Sequence, residues 1–227
     1  MATQAFVGSF NTGTGAVSTT VPVTGVGFTP KIAFFWWSNR TGTVDASGRG
    51  DFDRGFGCAI STTDRRCVTG GGVDNNTVTG TRCMQSNVAC VGVVSNVVDG
   101  LLDFSTWDAD GFTLIVDDQF TASYRIHYLA LGGGDITNLA GGSFTKPTSV
   151  GAQSQSTTGV GFQPDVVLFM ATQQITNDSS VSNESICTLG VAKDSTAMGV
   201  NGAQTRFGAA GRPAAAFVLC LLPRPPP

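Results

Sequence analysis

Two apolar segments give the strongest hydrophobic pattern in the chain, and each follows the same short motif. Residues 31–37 read KIAFFWW and residues 165–171 read DVVLFMA, and both come directly after Gly-Val-Gly-Phe-x-Pro. A short continuous apolar run bounded by Gly and Pro is typical of a β-strand that is covered on both faces. Proline lacks an N–H and therefore suits the first residue of such a strand. We predict two equivalent inner strands.

Weaker patterns predict further strands and two long connections. Residues 88–98 are mostly apolar, residues 110–118 follow an Asp-Gly turn signal, and residues 123–133 alternate between two faces before a Gly-Gly-Gly stretch. Each pattern is typical of a strand. The polar stretches 38–56 and 173–186 follow the two inner strands at corresponding places, and we expect both to be long exposed loops.

The two motifs belong to a longer repeat. Residues 8–35 align with residues 142–169 without a gap, and 11 of the 28 aligned positions are identical. Self-similarity at a fixed offset indicates an internal duplication. The second copy shows no evident counterpart of residues 105–133, so either it borrows strands from the first copy or it is a truncated copy.

This organisation predicts two modules. Residues 1–136 would form a first β-sandwich, and residues 137–227 a second, shorter related module. The second module ends in Pro225, Pro226 and Pro227, which predict an extended tail.

Composition points to the same fold class. The chain has 227 residues and 30 glycines, but only one Glu (Glu184) and three Lys. Glu and Lys normally cover exposed helix surfaces, so their scarcity argues against helices. The hydrophobic fraction of 41% is enough for a packed core. We predict an all-β protein, a jelly-roll-like β-sandwich with internal duplication.

Charge and targeting signals exclude several classes of function. The net charge is −3 and the isoelectric point is about 4.9. Lys and Arg do not cluster as phosphate binding requires, so no nucleic-acid partner is expected. No apolar run approaches the roughly 20 residues that cross a bilayer, and the N-terminus resembles no secretory signal. We expect the protein to assemble in a cytoplasm and not to associate with membranes.

Catalytic and metal-binding signals are weak. The single histidine, His127, lies within a predicted strand, and the chain has no G-x-S-x-G motif. Glu184 and the scattered Asp residues leave a carbohydrate-active hydrolase as a remote alternative. Asp108 and Asp110 are spaced like the start of a calcium loop, but the remaining ligands are missing, which favours an Asp-Gly turn. We expect no catalytic residues, no metal and no cofactor.

Cysteines and tryptophans leave two questions open. The six cysteines include no CxxC pair, and we expect mostly free thiols in the core. Trp36, Trp37 and Trp107 could stack on sugar rings if exposed. Trp36 and Trp37 are adjacent in a strand and point to opposite faces, and we expect both to be buried.

Three sequence signatures together resemble a known class of protein. They are the TGVGFxP motif with its apolar strand at 24–35 and 158–169, W-x-A-D-G-F-T-L at 107–114, and Y-x-x-H-Y-L-A-L-G-G at 124–133. The combination resembles β-rich structural proteins of tailed bacteriophage virions, which carry tandem GVGFxPD modules with DGF and YLALGG strands. The shorter second copy departs from that pattern.

The resemblance implies a non-enzymatic virion component. We expect a capsid decoration (cement) protein that is located in the virion, binds the major capsid protein or other virion proteins, and forms a homo-oligomer. The alternative within binding proteins is a tail or fibre module that recognises a host glycan or protein receptor. For contacts with partners we predict the polar loops and the tail, namely Arg40, Asp51, Asp53, Arg54, Pro225, Pro226 and Pro227.

Overall fold

The protein is built from β-strands throughout the part of the chain that the structure describes. The computed structural model describes residues 2–38, 52–72, 81–94, 97–145, 156–172, 179–182, 184–194, 196–206 and 216–223. Within these ranges it contains strands and turns and no helix, and hence no helix of a length and apolarity that could cross a membrane. The all-β, sandwich-like fold predicted from the sequence is confirmed.

Sixteen strands follow one another in the described ranges. The first ten are β1 (Gln4–Asn11), β2 (Thr20–Val23), β3 (Pro30–Ser38), β4 (Phe52–Ala59), β5 (Arg65–Gly72), β6 (Thr81–Ser86), β7 (Cys90–Val94), β8 (Val97–Asp108), β9 (Gly111–Asp118) and β10 (Arg125–Gly132). The last six are β11 (Ala140–Thr145), β12 (Pro164–Thr172), β13 (Ser179–Ser182), β14 (Glu184–Ala192), β15 (Met198–Arg206) and β16 (Ala216–Pro223).

The strands form three antiparallel sheets. A seven-stranded central sheet has the order β1-β10-β3-β4-β5-β6-β13, and a four-stranded cover sheet has the order β2-β9-β8-β7. The second-copy sheet has five strands in the order β11-β16-β12-β14-β15. The cover sheet packs on one face of the central sheet and the second-copy sheet packs on the other, so the protein has three layers.

Strand β3 shows why the apolar run has no polar alternation. Ala33, Phe35 and Trp37 point into the hydrophobic cluster shared with the cover sheet. Ile32 and Phe34 point into the opposite cluster, shared with the second-copy sheet. Because successive side chains alternate between the faces of a strand, burial of both faces requires apolar residues at every position. The prediction of an inner strand that begins at Pro30 is confirmed.

Edge-to-face aromatic pairs organise the larger cluster. The ring centroids of Phe35 and Phe112 are 5.7 Å apart, and those of Phe112 and Tyr128 are 5.2 Å apart. Phe10 meets both Phe35 and Phe112 at steep angles. These contacts join β1, β3 and β10 of the central sheet to β9 of the cover sheet, and such pairs stabilise a core by about 0.5–1.5 kcal/mol each beyond their buried area.

The duplication is visible in the geometry. Strand β12 begins and ends 134 positions after β3, which is the offset of the sequence repeat. The motif glycines Gly25 and Gly27 both have φ of 82°, and their counterparts Gly159 and Gly161 have φ of 84° and 80°. Only glycine adopts this left-handed conformation at little cost, which explains the shared Gly-Val-Gly pattern.

The two copies also share a strand order. In the central sheet β10 lies between β1 and β3, and β4 and β5 follow, while in the second-copy sheet β16 lies between β11 and β12, and β14 and β15 follow. Strand β16 therefore takes the place of β10, a correspondence that the sequence comparison missed. The second copy has no equivalent of the cover sheet among the described residues. Its inner face packs instead on the central sheet, and its strand β13 pairs with β6 at the edge of that sheet.

Three predicted boundaries were wrong. The stretch 38–56 is not a loop throughout, because β4 begins at Phe52, and the stretch 173–186 contains β13 and the start of β14. Residues 88–98 contribute to two strands, β7 and β8. The glycines of β4 are the reason why that segment was predicted to be a loop. An added Cβ would lie 2.1 Å from the ring of Trp37 at Gly55 and 1.9 Å from the carbonyl oxygen of Ala89 at Gly57, so tertiary packing requires glycine there.

Candidate interaction surfaces

The outer face of the second-copy sheet carries an apolar groove, and no described strand covers it. On β12, Leu168 and Met170 point into the inner cluster, so Val167 and Phe169 point outward. Phe169 is the counterpart of Phe35, since the two are 134 positions apart. Phe35 is 1% exposed under the cover sheet, whereas Phe169 is only partly buried.

A second pair of phenylalanines repeats the comparison. Phe144 on β11 is the counterpart of Phe10 on β1. Phe10 packs against Phe112 of the cover sheet, and Phe144 lines the groove of the second-copy sheet together with Phe169. The second copy has therefore kept core-type residues on a face that no described sheet covers.

The outer face carries a groove along β14. Across the sheet, Phe169 on β12 lies opposite Gly190 on β14, and Gly190 lies opposite Val200 on β15. Gly190, the small residue between Phe169 and Val200, forms the floor of the groove. Two residues further along β14, Ala192 takes the same place opposite Met198. The groove has a volume of about 460 Å³, and none of the described residues that line it is charged.

The wall of the groove on β15 projects into solvent. Met198 is 63% exposed and Val200 is 80% exposed. A contiguous exposed apolar surface of this kind marks an interaction site in soluble proteins more often than single exposed residues do. Lys193 and Asp194 lie in the turn that joins β14 to β15, beyond the groove, where hydrogen bonds from Thr196 and Ala197 lower the pKa of Asp194.

A smaller aromatic patch lies on the central sheet. Trp36 is 36% exposed and stacks on His127, with ring centroids 6.2 Å apart and an interplanar angle of 14°. On the neighbouring strands the Arg125 guanidinium donates a hydrogen bond to Ser9 Oγ at 3.0 Å. Trp37, by contrast, is 5% exposed in the core. The two adjacent tryptophans are thus divided between surface and core, and burial of both was the wrong expectation.

The predicted contact residues of β4 lie in a paired strand, where Asp53 is buried and Arg54 is half-buried. Asp53 is 5% exposed and accepts a hydrogen bond from Thr69 Oγ1 at 3.2 Å. The guanidinium of Arg54 donates to the carbonyl oxygen of Cys187 and so links the central sheet to the second-copy sheet. The expectation that both residues lie in an exposed loop was wrong, because β4 is a paired strand between β3 and β5.

The other predicted contact residues are Arg40, Asp51, Pro225, Pro226 and Pro227, and they lie outside the described residues.

Asp110 explains why the motif and the DGF segment occur together. Its carboxylate accepts hydrogen bonds from the backbone N–H groups of Gly25 at 3.0 Å and Gly27 at 2.5 Å. An added Cβ on Gly111, where φ is 148°, would lie 1.9 Å from the carbonyl oxygen of Val23. The predicted Asp-Gly turn lies between β8 and β9, and the structure shows in addition that it holds the motif loop. The described residues contain no group of three or more potential metal ligands.

Other carboxylates of the described chain also make internal hydrogen bonds. Asp103 pairs with Arg65, which raises the pKa of that guanidinium, and Asp108 accepts from Thr113 at 2.7 Å. Asp99 accepts a hydrogen bond from Thr121 and lies close to Tyr124. Burial, followed by the hydrogen bond to Asp99, raises the pKa of Tyr124 to about 12.

The cysteines of the described part lie mostly in the core. Cys67, Cys90 and Cys187 are buried, and burial raises the pKa of the Cys90 thiol well above its usual range. Cys58 differs from the expectation of free thiols, because it is disulfide-bonded.

Comparisons with models of protein families, with curated proteins and with solved structures found no match. The interpretation of these surfaces therefore depends on the chain itself.

Sequence reasoning missed the groove. The signal was present, since the second copy keeps the phenylalanines that face the cover sheet in the first copy but shows no counterpart of the DGF strand that contacts them.

Proposed function

We propose that this chain is a non-enzymatic structural protein of a tailed bacteriophage virion, most specifically a capsid decoration protein. It binds the shell and its own copies, and its partners are the major capsid protein or other virion proteins. The resemblance of the TGVGFxP, DGF and YLALGG segments to virion proteins supports this proposal. The structure adds that these segments form one unit, since Asp110 binds the motif loop and β10 pairs with β3.

The observation that carries the proposal is the apolar outer face of the second-copy sheet, over which no described strand lies. Met198 and Val200 expose most of their surface, and a groove of about 460 Å³ lies beside them. Holding this face in water is unfavourable by roughly 25 cal/mol for each Å² of apolar surface. A protein that is bound to neighbouring proteins in a particle removes that surface from water.

The test locates the protein on purified particles of the phage that encodes it. Particles would be stripped of the protein and mixed with a gold-labelled purified form, and then imaged. We expect labelling of heads in many copies. Absence of the protein from purified particles would refute the virion assignment, and labelling restricted to tails would refute decoration.

The exposed Trp36 patch favours a second candidate, a tail or fibre module that binds host glycan. Trp36 stacks on His127, and Arg125 lies two residues before His127 on β10, so the patch offers an aromatic surface and polar donors, as sugar rings require. The test is binding to a glycan array. Loss of binding in Trp36→Ala would support this candidate, provided that Val17→Ala still binds. Val17→Ala is the control because it changes an exposed residue far from the patch in sequence. Absence of glycan binding by the unaltered protein would refute the second candidate function.

A further inference from the structure

We infer that Cys58 forms its disulfide with Cys220, so that one covalent bond joins the first copy of the repeat to the second. Cys58 lies on β4 of the central sheet, and Cys220 lies on β16 of the second-copy sheet. Cys58 is disulfide-bonded, and the chain contains five other cysteines that could be its partner. The inference concerns the link between these two layers and does not depend on the proposed function.

Three of the other cysteines are excluded as partners. Cys67 and Cys90 belong to the cluster under the cover sheet, whereas Cys58 belongs to the cluster on the opposite face of the central sheet. Cys187 shares the cluster of Cys58, but its sulfur donates a hydrogen bond to the carbonyl oxygen of Val68 at 3.8 Å, which requires a thiol. Two candidates then remain.

The first of these, Cys83, lies too far away along the central sheet. Cys58 pairs with Arg66 on β5, and Cys83 pairs with Gly70 on the other side of the same strand. The two cysteines are therefore two strand spacings and four residues apart, which corresponds to about 16 Å between their Cα atoms. A disulfide requires a Cα separation below about 7 Å. The register of the strands thus excludes Cys83.

The register of β16 brings Cys220 to the part of the interface where Cys58 lies. On one side Cys220 pairs with Leu168, whose side chain packs against the cluster that contains Cys58. On the other side it pairs with Gly141, and an added Cβ on Gly141 would lie 3.8 Å from Ile60 Cδ1, two residues after Cys58. Facing sheets are usually about 10 Å apart, and a glycine at this point lets them approach more closely, as a disulfide requires.

The bond forms by thiol–disulfide exchange with a small disulfide such as oxidised glutathione. One cysteine thiolate attacks that disulfide and releases one glutathione, and the second thiolate then attacks the mixed disulfide and releases the other. The two protein thiols lose two protons and two electrons, which convert one oxidised glutathione into two molecules of glutathione. Because Cys58 is 1% exposed, the exchange takes place while the chain folds. A reductant reverses it and leaves the layers joined by non-covalent contacts alone.

Peptide mapping of the full-length protein tests the pairing. The reduced, unfolded chain is refolded in a mixture of reduced and oxidised glutathione, the remaining thiols are alkylated, and the protein is cut with trypsin without reduction. Cleavage after Lys and Arg, except before Pro, places Cys58 alone in peptide 55–65 and Cys220 alone in peptide 207–227. We expect these two peptides to appear as one linked species that disappears on reduction. A link from peptide 55–65 to peptide 83–125, or an alkylated Cys58, would overturn the inference.

Thermal unfolding with and without a reductant tests what the bond does. The bond closes a loop of about 160 residues, and loss of a native disulfide should lower the midpoint by about 4–20 °C. We expect that loss when the unaltered protein is reduced, and no response to the reductant in Cys58→Ala or Cys220→Ala. Cys187→Ala is the matched control, because it removes a buried sulfur from the same cluster and should respond as the unaltered protein does.

Each variant is compared with itself under the two conditions, which separates the loss of the bond from any effect of the substitution on packing. The same response to the reductant in all four proteins would overturn the inference. The peptide map of the unaltered protein decides the pairing even if a variant does not fold.

Discussion

Removing the same ring from the two copies should have very different effects on stability. Phe35 is buried between two sheets, and deletion of a core phenylalanine typically lowers the free energy of unfolding by about 3–5 kcal/mol, because a cavity remains. Phe169 is only partly buried, and no described strand covers it. Half of the transfer free energy of a fully buried side chain is about 0.75–1.5 kcal/mol, and no closed cavity would form. We therefore expect Phe35→Ala to destabilise the monomer by at least about 1.5 kcal/mol more than Phe169→Ala.

Urea unfolding at low protein concentration measures the difference under conditions that favour the monomer. Met170→Ala is the control on the same strand as Phe169, because Met170 points into the inner cluster and is 2% exposed. Its deletion should destabilise by about 2–5 kcal/mol and so show that β12 is sensitive where it faces inward. In thermal unfolding, Phe35→Ala should lower the midpoint by about 6–20 °C, at about 2–4 °C for each kcal/mol. Equal losses for Phe35→Ala and Phe169→Ala would show that another part of the chain covers Phe169, and the argument for an open face would fail.

Two further predictions concern the motif loop and the response to alkali. Asp110→Ala removes both hydrogen bonds to the motif glycines and should lower the free energy of unfolding by about 1–3 kcal/mol, whereas Asp118→Ala, at the exposed end of β9, should change it by less than about 0.5 kcal/mol. Urea unfolding of both variants checks this, and equal effects would show that Asp110 does not hold the loop. The raised pKa of Tyr124 means that the folded protein keeps its phenolic proton while the unfolded chain loses it, so this contribution to stability is complete below about pH 10 and is lost as pH rises towards 12. The urea midpoint should fall less steeply over that range in Tyr124→Phe than in the unaltered protein, and identical slopes would contradict the assignment.

Strand β3 and the turn could be read from the sequence because their signals are local, whereas, among the described residues, the same signals wrongly predicted that β12 is covered on both faces. The Gly-Pro boundary, the continuous apolar run and the Asp-Gly pair depend on backbone angles and on side-chain alternation, which the residues themselves determine. Strand β4 could not be read in this way. Its glycines are required by the Trp37 ring and the Ala89 carbonyl group, which come from distant parts of the chain.

The sequence by itself determined that the chain is a duplicated all-β protein, because the same Gly-Val-Gly-Phe-x-Pro motif precedes two continuous apolar runs of strand length. Only the tertiary structure decided how the shorter copy compensates for its missing strands. It packs one face on the central sheet, places β16 where the first copy has β10, and has no sheet over its other face among the described residues. Such choices depend on which surfaces meet in space, and the free energy of that burial is set by non-local contacts that a linear pattern does not contain.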